Sequence, residues 1–157
     1  MTTAEKLVKE MAARNLTCAT AESCTGGGVG SAITAVPGSS AVFRGGVISY
    51  DNSVKRGVLG VDGAILDGVG PVSAECAGQM AQGARRLLKA DLSVSVTGLA
   101  GPGGDGVHPV GSVWFGLAAE DGVQAENVVF AGDRAEVREA AVEHALAMLL
   151  KAALRSG

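Results

Sequence analysis

Three short segments carry the residues able to do chemistry. In the first, Ala21-Glu22-Ser23-Cys24-Thr25-Gly26-Gly27-Gly28, a serine follows a strand-like stretch, Thr17 to Thr20, and precedes a small-residue amphipathic stretch, Val29 to Val36. A serine on a strand-to-helix turn exposes its hydroxyl, and the N-terminus of the following helix offers unpaired donors and partial positive charge. That suits a phosphate, or the oxyanion of an acyl-transfer intermediate. The plainer reading is that Ser23 or Thr25 caps the helix. The second segment, Val47 to Arg56, climbs a strand to Tyr50, turns through Asp51-Asn52-Ser53 and enters a helical stretch carrying Lys55 and Arg56. The third, Ser95 to Gly104, ends a strand at Thr97 and Gly98, where ligands gather in open α/β sheets.

A serine needs a base to become a nucleophile at neutral pH. The two histidines are poorly placed for this. His144 falls deep in the last helical stretch, and His108 lies in a proline-bounded loop with nothing to bring it to Ser23. Lys55 is the better base, because a lysine buried among apolar or cationic neighbours loses its proton readily, and serine–lysine pairs are a known variant of the triad. On local sequence alone, however, Lys55 reads as a solvated helix lysine and Tyr50 as a half-buried strand tyrosine. Cys24 is intrinsically the stronger nucleophile. Adjacent side chains of an extended segment point to opposite sides, so a site-facing Ser23 turns Cys24 toward the core. A cysteine hydrolase using Cys24 stays open as a competing reading.

Arg134 and Arg138 share one face near the start of the last helical stretch and form either a phosphate clamp or surface pairs with Glu136 and Glu139. Glu22 orients Lys55 or a ribose, or is merely solvated. Gly101, Gly103 and Gly106 satisfy G-x-G-x-x-G, but Pro102 lies inside the motif and a strand follows, so no dinucleotide site is expected. That loop instead lets backbone approach a substrate closely.

Helical spacing predicts helices over Thr3–Arg14, Gly26–Ala35, Ser73–Lys89 and Asp133–Arg155, the last opened by a capping box from Asp133 and Glu136. Strands are expected over Thr17–Ala21, Val42–Tyr50, Leu92–Thr97, Ser112–Ala119 and Val123–Phe130, the last two joined by a hairpin at Asp121-Gly122. Early alternation of strand and helix, then a hairpin and a closing helix, predicts a three-layer α/β/α sandwich. Its sheet is mostly parallel with one antiparallel strand. Asp62–Gly70 is the loosest stretch and reads as a mobile loop.

The 157 residues suit a single domain spanning 1–157. Apolar residues are 47% of the chain and aromatics only 3%, so the core must be built mainly from Val, Leu, Ile and Ala. A net charge of −3 without a basic run argues against nucleic acid as a partner. No window approaches a membrane span, and the amino terminus lacks a signal peptide's apolar stretch. Cys18, Cys24 and Cys76 fit no zinc or CxxC spacing, which points to no bound metal and to a reducing cytoplasm. Val/Leu/Ala faces on a small domain favour a homodimer.

The runs A-E-S-C-T-G-G, V-P-G-S-S-A-V-F-R-G-G-V-I-S-Y, N-S-V-K, S-V-T-G-L-A-G-P-G-G, P-V-G-S-V and G-D-R, in this order and spacing, resemble the CinA C-terminal domain family over nearly the whole chain. The resemblance implies a five-stranded mixed sheet between helices. It also implies the activity of the family's stand-alone members, deamidation of nicotinamide mononucleotide, with a small-molecule nucleotide as partner and no cofactor. Ser23 would be the nucleophile, Lys55 the general base and Tyr50 a hydroxyl bridging them. Backbone N–H groups from Thr25 to Gly27 would hold the oxyanion. Thr97 and Gly98 would line the site, and Arg134 or Arg138, with Arg138 preferred, would bind phosphate. The alternative is a catalytically silent nucleotide-binding or regulatory module, since relatives are named for competence and damage induction. The chain departs from the family's pattern at Gly106-Val107-His108-Pro109-Val110, where many members carry a lysine.

Overall fold

The computed structural model describes residues 1–156. Its elements run in chain order α1 (Thr3–Ala13), β1 (Cys18–Glu22), α2 (Gly28–Thr34), β2 (Phe43–Ile48), α3 (Asn52–Gly57), α4 (Gly63–Asp67), α5 (Ala74–Leu88), β3 (Leu92–Gly98), β4 (Ser112–Ala119), β5 (Gly122–Val129) and α6 (Arg134–Arg155). The five strands form one sheet in the order β2-β1-β3-β4-β5. β2, β1 and β3 are parallel neighbours, and β4 runs antiparallel to both β3 and β5, so a single strand opposes the other four. This is the expected α/β/α sandwich with its mixed sheet.

The two faces of the sheet differ in chemistry. One presents Cys18, Val94, Val96, Val113 and Phe115 to α1, α2 and α6, and the main core lies there with Leu7, Met11, Ile33, Val137 and Leu149. As expected, aliphatic residues dominate it. The opposite face carries Ala19, Ala21, Ser93, Ser95 and Gly116, small residues that let α5 lie unusually close. Ser95 Oγ donates to the Ala77 carbonyl of α5, and a Cβ at Gly116 would sit 2.2 Å from that same oxygen. A smaller apolar cluster, Leu59, Val61, Leu66, Cys76, Met80 and Ala84, joins α5 to the α3–α4 segment.

Every helix except α2 begins on an N-cap side chain that accepts from a free backbone N–H. Thr2 and Asp133 form capping boxes with Glu5 and Glu136, and Ser73 accepts from Cys76 N. The Asp62–Gly70 expectation needs correction. The stretch holds α4, opened by Asp62 accepting from Ala64 N, while Asp62 N–H donates to Gln79 and Leu66 is buried against α5. The local cap and one buried leucine outweigh the flanking glycines.

Because β1, β2 and β3 are parallel, their carboxyl ends meet at one edge of the sheet. Ser23, Ser49–Tyr50 and Gly98 therefore emerge together, facing the starts of α3 and α6.

Gly83 locks α3 to α5. A Cβ there would fall 2.0 Å from the Leu59 carbonyl oxygen. Mid-helix Gly→Ala ordinarily stabilises by about 1 kcal/mol; here overpacking of about 1–3 kcal/mol dominates. Gly83→Ala is therefore expected to lower the urea midpoint, and an unchanged or higher midpoint would contradict the close approach of α5 to Leu59.

Candidate active site

Lys55 is the centre of the site. Its side chain extends from α3 into the protein and is only 2% exposed. Nζ lies 3.1 Å from Ser23 Oγ, 2.8 Å from the Ser49 carbonyl oxygen and 3.0 Å from the Tyr50 carbonyl oxygen. No carboxylate bonds to it. Burial therefore depresses its pKa below the ordinary lysine value, more than the nearby Cys76, Asp51 and Cys24 raise it. The neutral amine fits this triangle: its two hydrogens go to the two carbonyls and its lone pair faces the Ser23 hydroxyl. The local reading of Lys55 as a solvated helix lysine is overturned, because α3 starts at the sheet edge and aims this side chain inward.

Ser23 follows β1 directly and continues the inward alternation of Ala19 and Ala21; its N–H still donates to Val96 O. Cys24 turns to the other face and joins the main core. Burial pushes its thiol up to about 11, against the smaller opposing influence of Arg138 and the other cations. Burial thus disfavours the thiolate that a cysteine mechanism would need.

The turn after Ser23 is held from both sides. Glu22, fully buried, accepts from Thr25 Oγ1 and Val29 N through Oε1, and from Thr20 Oγ1 and Gly30 N through Oε2. It is the cap of α2, whose own N-cap, Gly27, has no side chain to offer. Neither Lys55 nor a ligand position is its partner. From the carboxyl half of the chain, Arg138 donates from Nε to Cys24 O and from Nη2 to Thr25 O.

Several sequence-derived roles change accordingly. Arg138, preferred as the phosphate ligand, is committed to two carbonyls and lies outside the cleft. The Thr25 hydroxyl is spent on Glu22. Gly26 and Gly27 serve backbone conformation, with φ of +59° and +99°, and Gly26 N–H is spent on Ser23 O. Among the described residues, no acceptor is found for the N–H groups of Cys24, Thr25 and Gly27, which leaves those three as the available oxyanion donors of the turn. The Tyr50 hydroxyl does not bridge Ser23 and Lys55. The side chain is 64% exposed, with its hydroxyl 3.5 Å from Arg134 Nη2, and only the Tyr50 carbonyl touches Lys55.

A cleft of about 230 Å³ opens over Ser23 and Lys55, walled by Pro71, Val72, Thr97, Gly98, Leu99 and Ala100. Thr97 is buried and donates to Pro71 O, tying the end of β3 to the entrance of α5. A Cβ at Gly98 would meet Ser112 O at 2.5 Å. Cys24, Tyr50, Asn52, Gly101, Gly103 and Arg134 complete the lining. Arg134 donates from Nη1 to Gly101 O at 2.8 Å and faces the cleft. His108 and His144 are absent from it: His108 Nδ1 pairs with Asp105, and His144 packs on Phe115 and bonds Glu126. Of the sequence-derived residues, Ser23, Tyr50, Lys55, Thr97, Gly98 and Arg134 come together; Thr25, Gly26, Gly27 and Arg138 stand behind them. Asn52 and the capping role of Glu22 were missed. Among the described residues no cluster of His, Cys, Asp or Glu could hold a metal ion, and no helix is long and apolar enough to cross a membrane.

Comparison with known proteins shows the family and the fold. The model of the CinA C-terminal domain family matches residues 1–153. A CinA-like protein of Pseudothermotoga lettingae is 38% identical over 152 residues, 96% of this chain and 37% of its own length. One from Cyanothece is 54% identical over 122 residues, 77% of this chain and 29% of its own. The chain thus spans about a third of the length of the curated relatives it matches. Among solved structures, a CinA superfamily protein from Klebsiella pneumoniae superposes with a TM-score of 0.94 at 32% identity, covering 98% of this chain and 96% of that one. The competence/damage inducible protein CihA from Agrobacterium tumefaciens gives 0.89 at 39% identity, with 96% of each chain covered. The chain belongs to the CinA C-terminal domain family.

A depressed lysine pKa carries a stability cost with a definite sign. Between the folded-state pKa and the ordinary value near 10.5, the unfolded chain binds the extra proton, so stability rises with pH through that window. Lys55→Met removes this dependence. At pH 7 the variant is expected to unfold at the same or a higher denaturant concentration than the wild type, with the wild type gaining on it toward pH 10. A variant markedly less stable at pH 7 would mean that Lys55 is a favourable buried cation.

Proposed function

We propose that this chain is a serine amidohydrolase that deamidates nicotinamide mononucleotide to nicotinic acid mononucleotide and ammonia. The observation that carries the reading is the 3.1 Å contact between Ser23 Oγ and a buried lysine amine that has no carboxylate partner. The substrate class is what the resemblance of the chain's motifs to the CinA C-terminal domain family implies.

In this reading Ser23 Oγ attacks the carboxamide carbon as its proton passes to Lys55 Nζ. The free N–H groups of the turn, at Cys24, Thr25 and Gly27, are the donors available to the oxyanion. The tetrahedral intermediate collapses with cleavage of the C–N bond, and Lys55 returns the proton to the nitrogen, which leaves as ammonia. Water then attacks the acyl-enzyme, Lys55 takes its proton, and collapse restores Ser23 and frees the carboxylate. The lysine cycles between neutral and charged forms, held in place by the Ser49 and Tyr50 carbonyls.

A cleft of about 230 Å³ is small for a whole mononucleotide. The pyridine end occupies it, with the phosphate at the rim. Arg134 is the cation there, at the first turn of α6, where the helix end adds positive potential. No carboxylate lines the cleft, which suits an anionic substrate.

Ser23→Ala is expected to abolish ammonia release from nicotinamide mononucleotide while leaving nucleotide binding within a few fold. Binding by a wild-type chain that releases no ammonia would favour the silent nucleotide-binding module. Cys24→Ala is expected to keep most of the activity; its inactivation alongside an active Ser23→Ala would move the chemistry to the thiol.

The two arginines separate by substrate. Arg134→Ala is expected to raise KM for the mononucleotide about ten- to a hundredfold, the worth of a charge-assisted contact of about 1.5–3 kcal/mol, with little change toward the riboside. Arg138→Ala loosens the turn and is expected to lower kcat for both substrates. Equal losses on both substrates in Arg134→Ala would place the phosphate elsewhere.

A further inference from the structure

Asn52 lines the cleft and takes no part in the chemistry described above. It is the first residue of α3, one turn before Lys55, so the two side chains occupy the same helix face. Apart from the Cys24 thiol, the other polar side chains of the lining are engaged: Ser23 with Lys55, Thr97 with Pro71 O, Arg134 with Gly101 O, and Tyr50 with Arg134. Asn52 has no hydrogen-bond partner among the described residues. Its primary amide has the donor and acceptor pattern of the bond to be cleaved.

The hydrolysis adds a geometric demand. Lys55 receives the Ser23 proton and delivers it to the leaving nitrogen. That nitrogen must therefore lie on the α3 side of the tetrahedral carbon, not toward β3. Asn52 is the residue of α3 that lines the cleft on that side besides Lys55. We infer that Asn52 Oδ1 accepts a hydrogen from the scissile carboxamide, turning its –NH2 toward Lys55 and selecting amides over esters. The inference rests on the amidohydrolase reading. No new bond is made or broken: one substrate N–H donates to Oδ1 and remains on nitrogen when ammonia leaves.

An ester of the same acid has no hydrogen at that position. The test compares kcat/KM for nicotinamide mononucleotide and for the methyl ester of nicotinic acid mononucleotide in the wild type, Asn52→Ala and Asn52→Asp. Asn52→Ala is expected to lower the amide-to-ester ratio about two- to tenfold, the worth of one neutral hydrogen bond. Asn52→Asp keeps the acceptor and is expected to keep the ratio near the wild-type value, since a change in Lys55 protonation acts on both substrates. Equal losses on amide and ester in Asn52→Ala, an unchanged ratio, or a ratio lowered as far by Asp as by Ala would each overturn the assignment of Asn52 alone. A wild-type chain that cleaves neither substrate overturns the amidohydrolase reading and this inference with it.

Discussion

A lysine amine held inside the protein by two carbonyls and a serine, without a counter-charge, is the constraint on which the rest of the site depends. An ammonium in that position would lose its hydration and gain only dipoles in return, so the site favours the neutral amine. The packing around it supports that condition. The Ser49 and Tyr50 carbonyls are fixed because Ser49 N–H and Oγ both donate to Glu22 O. Leu59, Val61 and Met80 pack the α3–α4 segment against α5 and keep water from the stem. The acids next to Ser23 and Lys55 in sequence are used elsewhere: Asp51 caps α3 through Ser53 N, and Glu22 faces the opposite side of the sheet.

The serine half of the site depends on a different balance. Its turn carries three consecutive glycines, two with left-handed backbone, and would be loose if left to itself. A buried carboxylate on one side and a guanidinium on the other remove that freedom. Glu22 gathers four donors from the turn, the strand and the first turn of α2, and Arg138 gathers two carbonyls. The charges act on separate sets of backbone groups and do not meet each other. Positioning thus comes from charge-assisted hydrogen bonds rather than from apolar packing.

The fold was largely legible because its signals are local. Ser73, Asp133 and Glu136 announced their helices, Asp121-Gly122 its hairpin, and each expected strand lies within two residues of the observed one. What escaped reading was longer in range. Asp62 opens a short helix whose stability lies in Leu66 meeting α5, a contact no local pattern reveals. Glu22 read as a partner of Lys55 or a ribose, or as solvated, and not as a cap; the available clue was that α2 begins on glycine with no local cap, leaving its donors to be met by an acid upstream. Tyr50 and Lys55 were named together, but the register of β2 sends the tyrosine ring outward and leaves its carbonyl at the lysine. Arg134 and Arg138 share a face in sequence, yet four residues of helix separate a cleft rim from the back of the serine turn.

That separation also sets an order in time. The nucleophile and its base lie within 32 residues of each other, whereas Arg138 reaches Cys24 across 114. A chain emerging from synthesis can pair β1 with β2 and bring Ser23 to Lys55 early. The guanidinium that braces the turn arrives only when the final helix is made and docks on the sheet. Closing so long a loop is slow, so the nucleophile is braced last, by the segment that also completes the main core.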